Sequence, residues 1–420
     1  MRTARAAVGG LVAALALGAC GVPAGSTTST IKVGAVFPLT GVQAPLARHE
    51  YQGVEVARDL VNADGGVDGR PISLITRDLT APEDAQARVD ELKRAGASAV
   101  IGAYSSSLSL TASAAAQARG LLYWEAGAVA DQLTGEGRPL VFRVGATGKN
   151  LGSLSSHFAA MVLGPRLGRS PSQLRLALVH DDDLYPMDVA AAVRSQARAE
   201  GMTVVADVTY HTRAPDWDRV LAQLRDAHPD ILLLSSYIDD GVAFRRAMLR
   251  SGLHVSALIG TTMAQCVPEF GAMMGADAIG VFASDRPPKG FNPTALNSTG
   301  KAAYDRFAAA YRARYHEDPD EEALSGFAAA WALFHYVMPA AQRNGELSAS
   351  GMARAARGLN LQDGTLANGA GARFGSAPSD MGQNLRAASV IWQWQGIRHS
   401  VTVYPPVFAT GTPGFIPLPR

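Results

Sequence analysis

The chain has 420 residues, 47% of them hydrophobic and 18% charged, the balance of a folded soluble protein. That length exceeds one ordinary core and predicts two domains. A formal net charge of +1, with no basic cluster carrying interleaved aromatics, argues against nucleic acid as a partner.

At the start, Arg2 and Arg5 precede an apolar run, Ala6 to Ala16, too short to span a bilayer as a mature helix. A charged start, an apolar middle and small residues after it describe a secretory signal. The segment closes on Leu17-Gly18-Ala19-Cys20 and then Gly21, which resembles the lipobox of bacterial lipoproteins, where the cysteine is lipidated and becomes the first mature residue. The resemblance implies a signal peptide over 1–20 and a lipidated Cys20 holding the protein at the outer face of the cell membrane. Residues 21–30 then read as a flexible polar tether. The only other cysteine is Cys266, so no disulfide framework is available and a buried inert thiol is expected.

From Ile31 the chain alternates strand and helix. Strand Ile31–Phe37 precedes a helix over 48–62, strand 72–77 and helix 82–95. Strand Ala99–Gly102 then breaks at Ser105, Ser106 and Ser107 and continues as an Ala-rich helix to about Arg119. A strand over 121–124 ends in a small-residue turn, Glu125 to Ala130. Strand 140–143 and a helix near 151–162 follow. The alternation resumes with strands over 174–180, 203–208, 231–234 and 257–259, separated by helices over 185–200, 216–227 and 239–250. Such alternation builds parallel sheets from βαβ units, and continuous apolar runs such as Ile231–Leu234 fit strands buried on both faces. Beyond Gly280 the pattern changes: a Pro-rich polar stretch over 284–297, helices over 302–315, 321–342 and 348–357, and a hairpin over 387–394 and 397–403 turning near Gln395–Gly396.

The stretch over 99–133 carries the strongest chemical signal. Strand, hydroxyl-rich turn and helix in that order put serine hydroxyls and backbone N–H groups at the positive end of a helix dipole, which favours a carboxylate. Such turns sit at the carboxyl ends of strands, where open α/β sheets bind ligands. The competing account is that the serines only cap the helix.

The segments IKVGAVFPLTG, ARDLVNADGGVDGRPISL, VIGAYSSS, LALVHDDDLYPMDVA and HPDILLLSSYIDDGVAFRRAMLRSGL, in that order, resemble the branched-chain amino-acid (Leu/Ile/Val) binding proteins. These are type I periplasmic binding proteins that feed ABC importers, and the likeness spans roughly Ile31 to Tyr404. It implies an α/β fold of two lobes, each a mainly parallel sheet flanked by helices, joined by three crossovers. Lobe one would take 31–146 plus 283–385, lobe two 147–282 plus 386–405, and 406–420 would be a tail. It also implies a monomer that closes by a hinge on one small ligand and hands it to a membrane permease.

By the same resemblance, Ser106 and Ser107, with Ser105 beside them, hold a ligand carboxylate. The Gly127 carbonyl accepts from an ammonium, and Tyr185 and Tyr237 line the cleft from lobe two. Two departures stand out. Val129 occupies a threonine position, removing a charge-assisted hydrogen bond of about 1.5–3 kcal/mol. Thr262, within Thr261-Thr262-Met263, stands where the family places the glutamate that pairs the ammonium. Either Glu125, Asp239 or Asp240 substitutes, or the ligand is an amide or a small organic or aromatic acid rather than an α-amino acid. Trp124 and Glu125 would reshape the pocket, with Trp124 equally readable as core.

An enzyme is not expected: the sequence has no G-x-S-x-G, H-E-x-x-H, Walker loop or paired C-x-x-C, and no cofactor fingerprint. Asp181, Asp182 and Asp183 beside His180 read as a solvated loop rather than a metal site. The alternative function is a lipid-anchored sensor of the same fold signalling through a membrane partner, since no further apolar span is evident after residue 20.

Overall fold

The computed structural model describes residues 29–419 apart from Thr212 and Lys289. The expected signal peptide, Cys20 and most of the tether lie outside the described residues.

Two sheets organise the chain. The first holds β1 (Ile31–Phe37), β2 (Ile72–Asp78), β3 (Ala99–Gly102), β4 (Leu122–Glu125) and β5 (Val141–Arg143), all parallel, in the order β2-β1-β3-β4-β5. The second holds β6 (Arg175–Asp181), β7 (Thr203–Tyr210), β8 (Ile231–Ser235), β9 (Ala257–Thr261), β10 (Phe282–Asp285), β11 (Val390–Gly396) and β12 (His399–Tyr404). Its order is β12-β11-β10-β9-β8-β6-β7, and only the C-terminal hairpin runs antiparallel. The chain passes between the sheets three times: after β5, after Asp285, and between Leu385 and Val390. This is the expected two-lobed α/β fold.

β10 was not among the expected strands. Its four residues, Phe-Ala-Ser-Asp, are too short and mixed to show a period, and prolines follow at 287 and 288. The helix Pro268–Met274 and the single turn Gln132–Gly135 likewise escaped the pattern.

Register places the functional edge. Gly102 of β3 pairs with Glu125 of β4, so the turns after these strands emerge side by side. In the second sheet His180 pairs with Ser235, and Leu234 with Gly260, so the turns after β6, β8 and β9 share one edge. The two carboxyl edges face one another.

Two helices of lobe one fix that edge from behind. Ala44–Ala63 and Glu321–Trp331 cross at glycines: a Cβ on Gly53 would lie 2.0 Å from the Ala323 carbonyl oxygen, and one on Gly326 would lie 1.9 Å from that of Glu50. The second helix continues through a wider turn over Ala332–Val337, just before Pro339, to Arg343. These 23 residues are long and apolar enough to cross a membrane, contrary to the expectation that no such span follows residue 20. Most of their apolar stretch is buried inside the protein, and the segment is a core helix of lobe one.

Because neither backbone can retreat at the crossing, Gly53→Ala and Gly326→Ala should each cost about 3 kcal/mol, the upper end of ordinary overpacking. A urea unfolding midpoint unchanged by either substitution would refute the close crossing.

Candidate functional site

Ten residues from both lobes line one cavity between the facing edges: Tyr104, Ser105, Ser106, Gly127, Ala128 and Val129 from lobe one, with Tyr185, Tyr237, Thr262 and Met263 opposite. It is narrow and open to solvent on one side, with about 250 Å³ of space between its atoms and that opening. Seven of the expected site residues meet here, all but Ser107, Trp124 and Glu125. Two lining residues, Tyr104 and Met263, carry φ of 79° and 76°, a backbone region that side chains other than glycine rarely adopt and that clusters at functional sites.

Ser105 decides between anion binding and capping. It occupies the N-cap position of helix Ser106–Ala118, with φ −88° and ψ 151°, yet its hydroxyl caps nothing. Its Oγ is buried without a hydrogen-bond partner, and so is the Tyr104 hydroxyl. An unpaired buried hydroxyl costs about 1–3 kcal/mol, a cost that a ligand acceptor removes. Ser106 also lines the cavity, and its Oγ accepts from the Ala130 N–H at 3.2 Å. Ser107 is one step further into the helix and outside the lining. Of the three serines, Ser105 and Ser106 line the cavity and Ser107 does not.

The second turn is held almost entirely by side chains. Glu125 points inward, and its Oε1 accepts from the N–H groups of Ala126, Gly127 and Ala128 at 2.8–3.0 Å. Burial pushes its carboxyl above the usual range, partly offset by Ser109 and by the Ala128 and Gly127 N–H groups. Ser325 donates to the Ala126 carbonyl at 3.0 Å, and Arg286 to that of Gly127 at 3.4 Å. Arg143, fully buried and with its pKa lowered by burial to about 10, donates to the carbonyls of Ala128 and Ala130 at 3.2 and 2.6 Å. The Val129 N–H has no partner among the described residues. The turn is thus rigid before any ligand arrives. Gly127 is required by close approach, since a Cβ there would meet Glu50 Oε2 at 2.0 Å.

From lobe two, Tyr185 and Tyr237 meet edge to face with centroids 5.4 Å apart. The Tyr185 hydroxyl lies against the carbonyls of Ser236 and Thr262, donating to one of them, and Tyr237 donates to Asp183 Oδ2 at 2.6 Å. Both hydroxyls serve the lobe's own framework, leaving the rings as an apolar wall.

None of the acids considered as substitutes for the missing glutamate lines the cavity. Glu125 is turned inward, Asp239 is exposed, and Asp240 accepts from Tyr210 within lobe two. Trp124 is core: it is fully buried, stacks on Phe142 and donates to the Ala329 carbonyl at 2.8 Å. Of the three aspartates only the exposed Asp182 fits the expected solvated loop. Asp181 is buried at the end of β6, Asp182 pairs with His211, and Asp183 caps helix Leu184–Ala199. No metal-holding group of acidic, His or Cys residues occurs among the described residues. Cys266 is buried, and burial raises its thiol pKa. Sequence reasoning missed Arg143, Arg286 and Glu50, whose roles depend on partners far away in the chain.

Two lobes that meet over a small cavity built from strand-end turns define the architecture of a two-lobed solute-binding protein. A family model described as "Periplasmic binding protein" matches residues 30–390. Leu/Ile/Val-binding protein homolog 8 of Brucella abortus is 30% identical over 394 residues, covering 92% of this chain and 94% of that one. The chain belongs to the periplasmic binding protein family, and within it to the group of the Leu/Ile/Val-binding protein homologues. The fold is shared with the leucine-binding protein LivK of Thermotoga maritima (TM-score 0.72, 18% identity, 89% of this chain and 98% of that one). It is shared also with LivJ of Streptococcus pneumoniae in complex with isoleucine (0.71, 21%, 90% and 100%) and an ABC-transporter solute-binding protein of R. palustris in complex with benzoate (0.70, 19%, 91% and 98%).

Tyr185→Phe removes the one hydroxyl donor that serves the Ser236 and Thr262 carbonyls and should cost about 1–3 kcal/mol of stability, read as a lowered melting temperature. A melting temperature equal to the parent's would show that the hydroxyl does not hold these turns.

Proposed function

We propose that this chain is the extracytoplasmic solute-binding component of an ABC importer, closing by a hinge on a small carboxylate that carries no ammonium group. The observation that carries this reading is Ser105, whose buried, partnerless hydroxyl stands at a helix N-terminus in a cavity without a charged lining residue. The helix end, Ser105, Ser106 and the Val129 N–H supply donors for one carboxylate. Tyr185, Tyr237, Val129 and Met263 supply an apolar body site. An ammonium buried here would lack a carboxylate partner, at a cost of several kcal/mol. Among proteins of this fold, one neighbour holds isoleucine and another benzoate, so both ligand types fit the architecture.

Lobe one takes 31–146 with 286–385, and lobe two 147–285 with 386–405. The passage out of lobe two is drawn after Asp285 rather than before Ala283, because β10 pairs within the second sheet. The described part of the tail touches both lobes: the Phe408 and Ala409 carbonyls accept from Asn292 of lobe one, and the Leu418 N–H donates to the Ser256 carbonyl of lobe two. Cys20 is the lipidated first residue of the mature, monomeric protein.

Calorimetric titration with benzoate, benzamide, leucine and leucinamide tests the ligand class. Benzoate or another simple carboxylate should bind more tightly than its amide and than leucine, and leucine binding at micromolar level would overturn the reading. Ser105→Ala should weaken carboxylate binding by about 10- to 100-fold, the worth of one charge-assisted hydrogen bond. Mass spectrometry of the membrane-extracted protein should find a diacylglyceryl-modified N-terminus at Cys20; an unmodified N-terminus at any other position would refute the anchor.

A further inference from the structure

Arg286 is the first residue beyond β10, so by connectivity it leaves lobe two, yet its side chain is buried among lobe-one atoms. It donates to Glu322 Oε2 at 2.9 Å, to Ser325 Oγ at 3.1 Å and to the cleft carbonyl of Gly127 at 3.4 Å. Glu321, Asp285 and Glu50 lie 3.4, 3.4 and 3.7 Å from its nitrogens. Four carboxyls therefore surround one guanidinium. Both oxygens of Glu50, with Glu321 Oε1 and Asp285 Oδ2, are buried without a donor.

One guanidinium balances one carboxylate. The surplus must either stay hydrated or take up protons when water is excluded. The cluster is well placed to exchange water. Tyr104 and Gly127 separate it from the solute cleft, and Glu321 also lines a second inter-lobe cavity of about 490 Å³ with Cys266, Asp320 and Trp392. A small opening of the lobes would wet it from either side.

We propose that Arg286 is a positioning residue that ties the cleft turn of lobe one to the crossover from lobe two, and that the surplus carboxyls around it make lobe closure proton-linked. The inference rests on the reading of two lobes that close on a solute, but it concerns the lobes rather than the solute.

The sign follows from burial. Burial pushes the carboxyls of Glu50 and Glu321 well up, and that of Glu322 up to about 7. The other groups facing them are Glu125, Tyr104, Cys266 and Asp320, of which Asp320 is paired with His49, whose own pKa that bond raises. Carboxyls raised in the closed form and ordinary when hydrated bind more protons closed than open. Closure is then favoured below the ordinary carboxylate range near 4.5 and is lost as pH rises through about 7.

Small-angle X-ray scattering of the solute-free protein between about pH 5 and pH 8.5 tests this. The radius of gyration should be smaller at the acid end and rise as the pH increases. Glu322→Gln and Glu50→Gln should each flatten that rise and hold the protein compact to higher pH. Arg286→Lys, which keeps the charge but loses the fork to Glu322 and Gly127, should be expanded across the range while retaining its far-UV circular dichroism. A radius independent of pH in the parent, or a profile shared by parent and Glu322→Gln, would overturn the proposal. No solute enters the experiment, so its outcome is independent of whether the cleft takes a carboxylate.

Discussion

The turn from Ala126 to Ala130 governs the site, because its backbone groups are spoken for before a ligand arrives. Three N–H groups go to Glu125, one to Ser106, and the carbonyls to Ser325, Arg286, Arg143 and the Gly148 N–H. Three of these partners, Arg143, Arg286 and Glu125, are charged groups taken out of water, and each is tolerated only because several hydrogen bonds converge on it. The result is preorganisation: the one unclaimed donor of the turn, the Val129 N–H, belongs to a residue that lines the cavity. A ligand then meets a site whose ordering cost has largely been met during folding.

That arrangement depends in turn on how closely two helices pass. The crossing at Gly53 and Gly326 brings Glu50 to the back of Gly127 and sets the start of the second helix, with Glu321, Glu322 and Ser325, against Arg286. Larger residues at either glycine would separate the helices and withdraw these side chains together. The fold and the site therefore share one set of contacts, and the stability of lobe one is coupled to the geometry of the cleft.

Much of the fold was legible because buried parallel strands advertise themselves as short apolar runs between amphipathic helices. Nearly every strand through β9 lies within a residue or two of its expected place, while β10 is too short to carry a period. The cleft turns were legible as well, since hydroxyls and small residues at strand ends have few structural uses. Which of the three serines line the cavity was not legible, because spacing alone does not say where the helix begins, and the N-cap is Ser105. Glu125 looked like a ligand group because a carboxylate beside a binding turn can face either way. Its inward orientation is set by three N–H donors that only the folded turn brings together. Arg143 and Arg286 carried no local signal at all: an arginine at a strand end is ordinary in sequence, and its burial appears only when acceptors from distant segments close over it.

The central claim is that the cleft grips one negative group and provides no partner for a positive one. The most direct measurement is native mass spectrometry of the freshly purified protein, followed by identification of whatever small molecule it releases on unfolding. A carboxylic acid lacking an amine is the expected result. Release of a zwitterionic amino acid, or of a solute with no acidic group, would contradict the account.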